Sequence, residues 1–138
     1  MRTGSGGATV HESRTAIVVA GEEETRVLLR GLLRLHHVRV VGEAAGATQG
    51  AELLAAYHPK VLVADATLTE GDCGSLVETA RRSEPSTWIV VITPDRRRPV
   101  PALGTTPPDA ILTRPFRIQE FADVLSTGAG AAAAAATP

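Results

Sequence analysis

Short apolar runs alternate with helix-patterned segments along this chain, and that alternation is what most limits its fold. Thr15-Ala-Ile-Val-Val-Ala20 reads as a strand closed by Gly21. Glu22 to Leu35 follows with helical spacing; Val27, Leu28, Leu32 and Leu35 fall on one face, and three leading glutamates suit the positive end of a helix dipole. Val38–Glu43 is a second strand, and Thr48 is placed to cap a helix reaching about Tyr57, with Leu53 and Leu54 inward. Val61-Leu-Val-Ala64 is a third strand, apolar throughout and therefore buried on both faces. A helix from Asp72 or Ser75 through Arg82 leads to a fourth strand, Trp88–Ile92; a short fifth strand, Asp109–Thr113, precedes a last helix, Ile118–Leu125. Strand-helix alternation with short connections predicts a parallel sheet covered by helices on both faces.

One segment breaks the rhythm. Where a fourth helix is due, Pro94 to Pro108 carries five prolines and Gly104. A proline beyond a helix's first turn costs about 3 kcal/mol, so a fourth helix that is short or distorted is expected. The ends differ in composition from the middle. Residues 1–14 read as a Gly/Ser/Thr-rich lead-in, 15–126 as one domain, and 127–138, with the run Ala131–Ala136, as a tail or linker stub.

Composition excludes several function classes. With 14 basic and 15 acidic residues, nothing draws the chain to nucleic acid or to an anionic membrane. A single cysteine, Cys73, rules out an internal disulfide and a cysteine zinc cluster, and the histidines show no metal-ligand spacing. No apolar stretch approaches the ~20 residues that span a bilayer. The expectation is a cytoplasmic protein with no membrane or nucleic-acid contact of its own. No glycine-rich phosphate loop follows a strand, which argues against a nucleotide-binding or flavodoxin-like enzyme; Gly4-Ser-Gly-Gly7 precedes the first strand instead.

Asp65 ends the third strand, where open α/β sheets place their sites. With it, Thr93 closes the fourth strand, and Arg114-Pro115-Phe116 follows the fifth. In their order and spacing these residues, together with Val38-Arg-Val-Val-Gly-Glu-Ala-Ala45 and Ala51-Glu-Leu-Leu54, resemble the CheY-like receiver domains of bacterial response regulators, nearest in flavour to the NarL/FixJ group. The resemblance spans Arg14–Ser126. It implies a doubly wound five-stranded parallel sheet of order 2-1-3-4-5, a role in two-component phosphorelay signalling rather than an enzyme's, and Asp65 as phosphoacceptor. It further implies Thr93 and Arg114 as phosphate contacts, a cis Arg114–Pro115 bond, and a sensor histidine kinase or other signalling protein as partner. A homodimer through the face of the fourth helix, fifth strand and fifth helix is implied as well.

The departures fall on the chemistry. The family's acidic pair after the first strand is Ala20-Gly21 here, its lysine is Arg114, and its aromatic switch position is Ile111. Thr69 and Cys73 stand where the pattern has proline and glycine. A Mg²⁺ ion would have Asp65, the Thr67 carbonyl and the displaced Glu22 as ligands, a weak set for a cation that wants several oxygens. Arg114, with a planar fork that grips carboxylates, is instead suited to clamp Asp65. Arg96-Arg97-Arg98 reads as solvated loop charge. The alternative expectation is therefore a phosphorylation-independent pseudo-receiver serving protein interaction, dimerisation or small-ligand sensing. DNA binding within this chain is not expected.

Overall fold

The computed structural model describes residues 14–94 and 106–136. Its elements run β1 (Thr15–Val19), α1 (Glu23–Leu35), β2 (Arg39–Ala44), α2 (Ala47–Tyr57), β3 (Val61–Asp65), α3 (Cys73–Ser83), β4 (Trp88–Thr93), β5 (Ala110–Thr113) and α4 (Ile118–Ala136). The strands form one sheet in the order β2-β1-β3-β4-β5, and every pairing is parallel, as expected. Pairing Val19 with Ala64, Asp65 with Ile92 and Thr93 with Thr113 brings the carboxyl ends of the strands to one edge. Strand order reverses between β1 and β3, so the crevice at that edge opens beside Asp65.

Because side chains alternate across a strand, the sheet divides the apolar residues into two cores. Ala16, Val18, Val61, Val63, Val90 and Ile92 face one side, where Leu29 and Leu33 of α1 and Phe121 and Leu125 of α4 cover them. Ile17, Val19, Leu62, Ala64, Ile89 and Val91 face the other, under Leu54 of α2 and Leu76 and Val77 of α3. β3 is buried along its whole length, including its terminal carboxylate.

Several local expectations are corrected. α1 buries Leu29, Leu32 and Leu33. Val27, Leu28 and Leu35 stand outward at 49, 56 and 60% exposure, so the periodicity pointed to the wrong stripe for all but Leu32. Apolar residues lie on two sides of this helix, and its spacing alone does not choose between them. The N-cap of α2 is Gly46, not Thr48. Thr48 is already helical, and its N–H and Oγ1 donate to the Glu70 carboxylate at 2.7 and 3.0 Å. α4 continues through the alanine run to Ala136 instead of ending at Leu125. An established helix extends more cheaply than a new one nucleates. Arg14, placed in the lead-in, donates from Nη1 to the Leu125 carbonyl at 3.1 Å. The proline-rich stretch and Arg96–Arg98 lie mainly outside the described residues, as do most of the N-terminal lead-in and the chain end.

Candidate functional site

Asp65 is only 3% exposed although it closes a strand. Its Oδ1 accepts the Thr67 N–H at 2.8 Å, a turn made by the side chain two residues back. Its Oδ2 is paired with Arg114 Nη2. The same Nη2 donates to Thr25 Oγ1 of α1 at 3.3 Å, while the Arg114 N–H donates to the Thr93 carbonyl at 2.9 Å. The Arg114–Pro115 bond is cis, as the resemblance implied. Phe116 behind it lies half-buried against Phe121, ring centroids 6.1 Å apart.

Electrostatics at Asp65 are contested. Burial pushes its carboxyl above the ordinary aspartate value; the Thr67 N–H and the Arg114 guanidinium pull it down without fully offsetting the burial, and the charge of Glu22 adds to the rise. The ion pair therefore answers a desolvation cost as much as it adds stability.

The loops beside Asp65 are tied by backbone bonds. Gly21 N–H donates to the Thr67 carbonyl at 3.0 Å. A Cβ at residue 21 would come within 3.0 Å of that oxygen and 3.4 Å of Leu68, so a larger residue there would require the two loops to part by a few tenths of an ångström. The Ala20 carbonyl accepts from Arg26 Nη1 at 2.7 Å, so a cation serves this loop.

Of the sequence-predicted residues, Glu22, Asp65, Thr67 and Arg114 come together with Thr25 around a cleft of about 170 Å³. Thr93 is buried next to it but turned toward β5, its Oγ1 donating to Thr113 Oγ1 at 3.1 Å. Glu22 is the exposed N-cap of α1. Thr25 escaped the sequence reading; its only signal is a hydroxyl one turn into the helix that starts at the strand-order reversal.

Mg²⁺ fits this donor set poorly. The Thr67 carbonyl already accepts Gly21, and each Asp65 oxygen has a donor of its own. Among the described residues no group of three His, Cys, Asp or Glu side chains is arranged to hold a metal ion. Cys73 is buried, and its thiol is pushed up to about 12, first by burial and then by the charges of Asp65 and Asp72, so it is a poor nucleophile. His58 caps α2 with a left-handed backbone, its Nδ1 2.6 Å from Glu84 Oε2. His36 caps α1, stands beside Phe121 and has a buried Nε2 with no hydrogen-bond partner among the described residues.

No family model and no curated protein matches the chain. Solved structures do. The signal receiver domain of an HD domain-containing protein from Pseudomonas fluorescens Pf-5 superposes with a TM-score of 0.74 at 22% identity, over 86% of this chain and 96% of that one. The signal receiver domain of a protein named as the response regulator NarL from Mycobacterium tuberculosis gives 0.72 at 23%, over 86% and 98%. The PhyR response regulator REC domain from Erythrobacter litoralis gives 0.71 at 23%, over 84% and 89%. At these identities the likeness is one of fold, and the fold is that of response-regulator receiver domains.

Proposed function

We propose that this receiver-fold chain is a cytoplasmic, non-enzymatic module of two-component signalling that acts by protein contact and not through a phosphorylated Asp65. The observation that carries this reading is the commitment of the Asp65 carboxylate: Thr67 N–H holds one oxygen and Arg114 the other. A carboxylate attacks a phosphoryl donor through a free oxygen, with charge stabilisation aimed at the transferred group. Here the guanidinium is spent on the nucleophile itself. The loop after β1 contributes a backbone N–H to Thr67 where a cation would need an oxygen. The partner class is a sensor histidine kinase or another signalling protein that reads a receiver surface.

The test is incubation with a small-molecule phosphodonor and Mg²⁺, and separately with beryllofluoride, read by intact mass and by amide NMR shifts at Asp65 and Thr93. The expected result is an unchanged mass and a quiet spectrum. Partner binding should also survive Asp65→Asn. A second reading keeps Asp65 as phosphoacceptor, with Arg114 gripping the transferred group, because the cleft lined by Glu22, Thr25, Thr67 and Arg114 reaches the carboxylate. A mass increment abolished by Asp65→Ala would establish it in place of the first.

A further inference from the structure

A cleft of about 290 Å³ opens between the start of α1 and the turn after β5, next to the smaller cleft at Asp65. Leu28, Leu29 and Phe116 give it apolar walls, and Glu22, Glu24 and Arg114 bring charge of both signs to it. Leu28 belongs to neither core, so this cleft is the one place in the fold that uses it. The charges are largely unspent. Among the described residues the Glu22 and Glu24 carboxylates have no hydrogen-bond or ion-pair partner. Arg114 is committed through Nη2 alone, to Asp65 and Thr25, which leaves its Nε and Nη1 donors without a partner among the same residues.

We infer that this cleft binds a free α-amino acid with a large apolar side chain, of the leucine or phenylalanine class. Its ammonium group meets Glu22 and Glu24, its carboxylate takes the remaining N–H groups of Arg114, and its side chain lies along Leu28, Leu29 and Phe116. Size and charge select this ligand over others. Small-molecule sites run from about 300 to 1,000 Å³, and a cleft at the low end suits an amino acid better than a nucleotide or a flavin. A phosphate or a fatty carboxylate would face two unpaired glutamates, and a simple amine would leave the arginine donors unanswered. The inference rests on the proposed function, in which Asp65 holds the guanidinium in place, and it gives such a module an input other than phosphate.

Titration of the full chain with L-leucine and L-phenylalanine, followed by calorimetry and by amide NMR shifts, tests this. Saturable binding is expected, with the largest shifts at Thr25, Leu28 and Phe116. Isoamylamine, which lacks the carboxylate, and isocaproate, which lacks the ammonium, should each bind at least about tenfold more weakly than leucine. Glu24→Gln and Leu28→Ser, both at exposed positions, should each raise the dissociation constant about tenfold, with thermal melts by circular dichroism checking that the fold is kept. Leu35→Ser, on the same helix but outside the cleft, should leave binding unchanged. No saturable shift, shifts centred elsewhere, an amine or acid that binds as tightly as leucine, or binding indifferent to both cleft variants would each overturn the proposal. The two readings fail separately. A phosphorylated Asp65 with leucine binding intact would sink the proposed function alone, and an unphosphorylated chain that ignores amino acids would sink this inference alone.

Discussion

Asp65 and Arg114 set opposite costs against each other, and separate substitutions distinguish them. Arg114→Ala leaves a buried carboxylate without its counter-charge. Because the arginine side chain is itself 35% exposed, we expect a loss of about 2–4 kcal/mol in urea unfolding, toward the lower part of the range for fully buried pairs. Asp65→Asn keeps an oxygen for the Thr67 N–H and removes the charge that burial disfavours. The folded-state carboxyl lies above its unfolded value, so the folded protein holds the proton more tightly, and the Asp65 contribution to stability falls as pH rises from the unfolded value through the folded one. Asp65→Asn lacks that decline. Its stability relative to the parent should therefore increase with pH across that interval and level off above it, as urea midpoints on a pH series will show. The Asp65–Arg114 pairing was legible once the resemblance supplied the strand order, since both residues then lie at one edge of the sheet and the long arginine can reach across β4. The bond from Gly21 N–H to Thr67 was not, because it depends on how closely two loops pack.

The helices show where local sequence runs out. α3 follows the rule: Asp72 caps it through a 2.7 Å bond from the Ser75 N–H, one of the two starts its residues suggested. α2 does not, since its first turn is served by Glu70 from the loop after β3, 22 positions away. Propensity carries no trace of such a cap. A Cβ on Gly46 would lie 2.5 Å from Glu70 Oε2, so Gly46→Ala must push that carboxylate aside. Glu70→Ala and Gly46→Ala should each cost about 1 kcal/mol, and the double variant little more than either alone, because both remove one interaction. A double-mutant cycle in urea measures the coupling. α1 failed for another reason: with apolar residues at 27, 28, 29, 32, 33 and 35, the inward stripe is chosen by the sheet and not by the helix.

For the molecule as a whole, a sheet covered on both faces was readable because β1, β3 and β4 are nearly continuous apolar runs that only such a sheet can bury, whereas the strand order came from the resemblance to receiver domains. Ligand linkage offers a global check on the site. A Mg²⁺ site of ~1 mM affinity would add about 1.4 kcal/mol at about 10 mM Mg²⁺ and raise the melting temperature by several degrees. With the Thr67 carbonyl and both Asp65 oxygens engaged, differential scanning calorimetry should find no such rise. Arg114 has one more effect, on the order in which the chain becomes ordered. It meets Asp65 across 49 positions and Thr25 across 89. During synthesis the ribosome delivers Asp65 well before Arg114, so a half-made sheet that buried the aspartate would hold a desolvated charge with nothing to neutralise it. Closing β3 early is thus penalised until β5 arrives. The C-terminal strand acts as a late latch that favours one concerted ordering event over growth strand by strand.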